Sequence, residues 1–356
     1  MEVPLKSKKR YYELDLMRFL AAFSVLMYHY TFSTPRVYNS PPFYSLDIIF
    51  RYGYLGVDAF FMISGYVVLM SSMHKTPKDF VISRVVRLYP TYWIICIITF
   101  CILYFGHISL PNIPHATLKN LAYNLTMLQN FFGKESLNPV FWTLTFEMSF
   151  YFLILLISAL KLWKNLLLIL IIWLLYSLIA GQHSTNSAFD YLFIPKYSCC
   201  FISGMLFYLL RIGYADKWKI YALLILSYAL NMKKDLFILN DMNGSYHDPG
   251  AYNVYALFMI ITFFYIFFLF SGLDKINLSG FPFLARLGFL TYPLYLVHPI
   301  GAEVLIILAG KFNKTLLLIA VTLIMLWLSR LIYRYIEQPF QPFLKKKLSA
   351  LLDHLA

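Results

Sequence analysis

Apolar stretches of bilayer length recur along this chain, separated by polar segments rich in turn-forming residues. Windows able to cross a hydrocarbon core of about 30 Å as helices fall at residues 14–32, 50–72, 88–106, 140–160, 165–181, 191–210, 218–232, 252–271, 286–309 and 315–336. The pattern predicts an all-α integral membrane protein, a polytopic bundle of about ten transmembrane helices. Its least regular members are the second window, which contains Arg51 and Asp58, and the seventh, which is short. The longest polar connections, at 33–49, 107–139 and 233–251, contain runs such as STPRVYNSPP and NDMNGSYHDPG, as expected of loops. None is long enough for a separate folded domain. Chemistry is therefore expected inside the bundle or at its two faces.

Composition agrees with this pattern. The chain is 60% hydrophobic and 13% charged, with a mean hydropathy of +0.66, whereas soluble domains average about 45–50% apolar and 25% charged. The net charge of +13 invites a nucleic-acid partner until its distribution is read. With a cytoplasmic N-terminus, 20 of the 30 Lys and Arg fall on the cytoplasmic side, nine fall outside and Arg18 lies within a span. That bias places both termini in the cytoplasm and makes the charge a matter of topology; no nucleic acid is expected. The basic run before the first apolar window resembles a signal peptide, but MYHYTFS follows where a cleavage site needs small residues. A retained first span is expected. Cys96, Cys101, Cys199 and Cys200 sit in or beside apolar runs without metal-type spacing, so they read as small apolar residues and no metal is expected.

Ionisable groups inside these windows are costly in hydrocarbon, which makes each a candidate functional residue. In LDLMRFLAAFSVLMYHY, residues 14–30, Arg18 and His29 are eleven residues apart and share a helical face, about 16 Å apart along the axis. Asp15 stands on the Arg18 side of the same stripe. Asp58 opens the run DAFFMISGY, where it fits either a helix N-cap or a partner for a histidine on a neighbouring helix. Arg84 and Arg87, three apart, form a fork for phosphate oxygens or a cytoplasmic anchor. Glu147 lies in an aromatic helix with Trp142, Phe146, Phe150 and Tyr151. Pro293 interrupts a segment holding Tyr292, Tyr295 and His298, and proline breaks are tolerated where they line a cavity. Glu337 ends the last window, within reach of Arg330 and Arg334.

Taken in order, the Arg18/His29 spacing, GVDAFFMISGY, RVVRLYP, FWTLTFEMSFY, TYPLYLVHP and the terminal IEQP resemble the membrane acyltransferase family 3. These are ten-helix bacterial O-acyltransferases that modify cell-surface sugars. The resemblance covers about residues 12–342, leaving a basic cytoplasmic N-terminus (1–11) and a basic cytoplasmic tail (343–356). It implies a protein of the bacterial cytoplasmic membrane with His29 as the catalytic histidine, Arg18 as its partner and Asp58 as the support of the histidine. It assigns Arg84 and Arg87 to an acyl-CoA donor, with acetyl-CoA expected. Trp142, Glu147, Tyr292, His298 and Glu337 match further motif positions. The implied acceptor is a surface polysaccharide, such as lipopolysaccharide or exopolysaccharide, or a lipid-linked saccharide. Thr143 and Thr291 stand where relatives often carry serine, which keeps the hydroxyl, and residues 30–50 are longer than the usual link.

The implied mechanism has His29 as general base on an acceptor hydroxyl, with Asp58 holding its tautomer. The sequence leaves direct transfer and an acyl-histidine intermediate equally open. A secondary transporter also has about ten helices, midplane charges and broken helices, and stands as the alternative class. It would favour inverted repeats and acidic coupling sites over a histidine helix above a pair of arginines.

Overall fold

The structure is a computed structural model that describes residues 10–38, 40, 44–106, 115–181, 187–245 and 252–354. The basic run before residue 10 lies outside them. Every regular element among the described residues is helical. The chain forms α1 (Tyr12–Tyr28), α2 (Thr34–Val37), α3 (Tyr44–Phe50), α4 (Gly56–Ser72) and α5 (Pro77–Phe105). It continues through α6 (Leu118–Asn124), α7 (Trp142–Ala159), α8 (Leu166–Ala180), α9 (Ala188–Phe193) and α10 (Ser198–Ile212). The last five are α11 (Lys217–Ser245), α12 (Val254–Gly272), α13 (Leu284–Ile307), α14 (Lys314–Ile332) and α15 (Gln338–His354). Their starts follow local chemistry: α5 opens on Pro77 with the Thr76 hydroxyl accepting from the Asp79 amide at 3.1 Å, which satisfies an otherwise orphaned donor.

Eight helical stretches are long and apolar enough to cross a membrane: Ser45–Ser72, Pro77–Phe105, Trp142–Ala159, Leu162–Ala180, Ala188–Ile212, Val254–Gly272, Leu284–Ile307 and Lys314–Asp353. The expected count of about ten is thus not confirmed. The two long helices outside this set, α1 and α11, carry Glu13, Asp15 and Arg18, and Lys233, Lys234 and Asp235, which lower their hydropathy. α1 packs inside the bundle against α13 and α4, and α11 lays one face on α10 while exposing the other. The seventh helix also runs well past residue 232. Lys234 and Asp235, expected in a loop, are buried at 8% and 1% exposure because the helix resumes its apolar pattern with Leu236 and Leu239. At the other end of the chain, the basic residues after 343 belong to α15, which packs on α5 and pairs Asp353 with Lys78.

Two glycines set the closest helix crossing. A Cβ on Gly65 of α4 would fall 2.0 Å from the Phe201 carbonyl oxygen, and one on Gly204 of α10 would fall 1.9 Å from that of Met62. The two backbones therefore touch reciprocally, which only small residues permit in a membrane bundle. Gly288 of α13 makes room for a side chain of α1 instead, since a Cβ there would fall 2.3 Å from Asp15 Oδ1. Two helices end in π-helical turns, α1 at His29–Ser33 and α14 at Tyr333–Glu337. Such turns recur at functional sites, and each contains a sequence-predicted site residue.

Gly204→Ala forces α4 and α10 apart, an overpacking that costs about 1–3 kcal/mol. It is expected to lower the thermal unfolding midpoint in detergent. Gly244→Ala serves as the control, since a Cβ there meets nothing within 4 Å; its midpoint should not fall.

Candidate active site in the bundle interior

Arginines from two helices converge on one cavity of about 160 Å³ between α1, α4, α5, α7 and α13. Arg18 comes from α1, and Arg84 and Arg87 come from one face of α5. Apolar side chains such as Val57, Phe60, Val67 and Leu88 form much of the remaining wall. Arg84 reaches the Ser71 hydroxyl at 3.5 Å and lies 5.5 Å from the Tyr151 ring centre. Arg18 has Asp15 as a distant partner at 3.8 Å. Arg87 lines the cavity without a hydrogen bond or ion pair among the described residues. A partly engaged arginine cluster in an apolar-walled cavity is suited to an anionic head group followed by an apolar or amide arm.

Glu147 is the counter-charge of this cavity. Its Oε1 accepts from the Ser64 hydroxyl of α4 at 3.1 Å and from Tyr151 one turn further along α7, so it ties two helices together while facing the arginines. Tyr292 closes another side, its hydroxyl donating to the Leu88 carbonyl at 3.0 Å. Glu337 lies on the π turn after α14, where its carboxylate accepts from Thr91 at 3.2 Å and Gln341 at 3.1 Å. Arg330 and Arg334, within reach of it in the sequence, form no ion pair with it among the described residues; its charged neighbour is Arg87 of α5.

His29 is not part of the cavity wall but stands one step beyond it. Tyr295 lines the cavity, bonds to the Thr143 hydroxyl at 3.0 Å and lies 5.7 Å from the His298 ring centre. His298 in turn lies 5.2 Å from His29. It is fully buried, and neither of its nitrogens has a hydrogen-bond partner among the described residues. His29 is half-buried, packs on Tyr28 at 5.2 Å, and likewise makes no hydrogen bond or ion pair among the described residues. The two histidines thus form an unsaturated pair at the far end of α1 from Arg18.

Asp58 departs from the sequence expectation. Instead of supporting His29, both of its oxygens accept from Lys234 Nζ at 2.6 Å. The ammonium also lies 2.9 Å from Asp235 and 4.8 Å from the Tyr197 ring centre. Lys234 escaped the sequence reading because KKD follows a short apolar window and looks like a loop. The signal present was the apolar LFIL just after it, which continues the helix. Trp142 also falls elsewhere: with Phe146 it occupies the opposite face of α7 from Glu147, lining a different cavity with Tyr191 and Tyr197. Among the described residues no group of three or more His, Cys, Asp or Glu could hold a metal ion.

Lys234→Met would leave Asp58 and Asp235 buried without their cation, and breaking such a pair costs about 3–5 kcal/mol. The variant should unfold at clearly lower temperature in detergent, and adding Asp58→Asn should recover part of the loss.

No curated protein matches the chain, and no solved structure does. The family model of acyltransferase family 3, described as an acyltransferase domain, matches residues 11–334. That stretch runs from the residue before α1 to the π turn of Glu337 and takes in the arginine cavity and both histidines. With its eight membrane-length apolar helices, the chain is a multi-pass membrane protein and belongs to the membrane acyltransferase family 3.

Proposed function

We propose that this protein moves an acyl group from cytoplasmic acyl-CoA to a hydroxyl of a cell-surface or lipid-linked saccharide, in the bacterial cytoplasmic membrane. The observation that carries this reading is the convergence of Arg18, Arg84 and Arg87 on a cavity whose far wall, Tyr295, adjoins the His29–His298 pair. The bias of Lys and Arg along the chain supports cytoplasmic termini, which turns the arginine end toward the cytoplasm and the His29 end outward. Phosphates of the donor pair with Arg84 and Arg87, whose planar forks suit phosphate oxygens. The thioester arm then follows α1 past Arg18, about 16 Å from His29 along the axis.

His29 takes the proton of the acceptor hydroxyl, and the freed oxygen bonds to the thioester carbonyl carbon. The carbon–sulfur bond breaks, and the CoA thiolate leaves with the proton held by His29. His298 takes the place expected of Asp58, because it is an ionisable side chain that another helix brings into ring contact with His29. Asp58 instead fixes α4 to α11 through Lys234.

In lipid nanodiscs with labelled acetyl-CoA, the wild-type protein is expected to release CoA and label a glycan acceptor. His29→Ala should abolish both while still accumulating in the membrane; wild-type rates in that variant would remove His29 from the mechanism. Arg84→Gln with Arg87→Gln should raise the donor KM about tenfold or more, as loss of charge-assisted hydrogen bonds does. An unchanged KM counts against their role, and solute flux without donor cleavage would favour a transporter.

A further inference from the structure

Beyond the histidines the bundle contains another cavity, of about 240 Å³, that the chemistry above does not use. Its wall includes Tyr30, Pro35, Ala302, Leu305, Ile306 and Leu317. Its position follows from helix geometry. At 100° per residue, Thr291, Tyr295, His298, Ala302, Leu305 and Ile306 fall within about 100° of one another on α13. Thr291 and Tyr295 line the arginine cavity, His298 touches His29, and the last three line this second space. One face of α13 therefore runs from the donor cavity, past the catalytic pair, into the second cavity over roughly 20 Å.

The lining says what would fill it. Ala309 and Phe312 continue the apolar wall while Thr34, Ser40 and Lys314 add polar groups to it, so the greater part of the space rewards a hydrocarbon group. Tyr30 follows His29 in the π turn and is 1% exposed, with a hydroxyl that has no hydrogen-bond partner among the described residues. That hydroxyl presses on α13 where Gly301 leaves room, since a Cβ there would fall 2.0 Å from it. A buried donor without an acceptor, at the histidine end of an apolar cavity, suits a carbonyl oxygen followed by an alkyl chain.

We infer that this cavity is an acyl pocket, which seats the hydrocarbon tail of a donor acyl group longer than acetyl with its carbonyl beside His29 and Tyr30. The inference rests on the acyl-transfer reading above and adds the donor's chain-length class to it. Ala302 follows His298 by about one turn of α13, and Leu305 stands nearly one turn further along.

The test uses the full chain in nanodiscs and uncleavable 2-oxoalkyl-CoA thioethers whose acyl parts have two, four or six carbons. The six-carbon analogue is expected to bind about tenfold or more tightly than the two-carbon one, the scale of discrimination a hydrophobic pocket provides. Ala302→Leu should erase that difference by weakening six-carbon binding. Leu305→Ala, which does not depend on the fold tolerating a larger side chain, should increase the preference for six carbons. Equal affinity across the series in the wild type would overturn the pocket while leaving the donor reading intact. So would a long-chain preference that neither variant alters. If no CoA analogue binds at all, the acyl-transfer reading itself fails.

Discussion

An ionised side chain cannot stand against hydrocarbon without a partner, and the arrangement of this bundle follows from that constraint. The charges of α1 and of one face of α11 are turned inward and met there: Asp15 by Arg10 at 2.7 Å, Lys234 by Asp58 and Asp235. The outer positions go to helices with little to hide. Only 28% of the apolar window in Val254–Gly272 and 22% of that in Lys314–Asp353 is buried within the protein. The polar axis of the site exists because a jacket of apolar helices makes room for it.

Close backbone contact then decides which faces meet. The reciprocal glycines of α4 and α10 join those helices with no side chain between them. Against this pair α7 works as a partition. Glu147 and Tyr151 face the arginines, while Trp142 and Phe146 face a cavity on the other side. Neighbouring residues of one motif thus serve different spaces, which explains why FWTLTFEMSFY carries both acidic and aromatic positions.

The sequence made parts of this legible. Arg18 and His29 do lie on one helix, Arg84 and Arg87 do face one cavity, and the family follows from motifs spread over most of the chain. What it concealed has physical reasons. The partner of Asp58 lies 176 residues away, and a pair of lysines after a short apolar window looks like the end of a helix until tertiary burial is known. The ring that lies against His29 is that of His298, a residue visible in the sequence but without a sign that it would reach there. The π turns leave no mark in composition, since they reflect packing rather than local preference.

Those turns have an evolutionary consequence. A π turn holds one residue more than an α turn, so it behaves as an insertion that the helix has absorbed in place. Everything before His29, Arg18 included, keeps the angular register of an unbroken helix. Everything after it, from Tyr30 to Pro35, is turned by about one residue's worth of rotation, roughly 100°. The side of the helix that lines the arginine cavity and the side that follows the histidine are therefore set independently. Gain or loss of a single residue in this segment would re-aim the second without disturbing the first, a route by which a chain of this family can reshape the space beyond the histidine while keeping its arginine cavity.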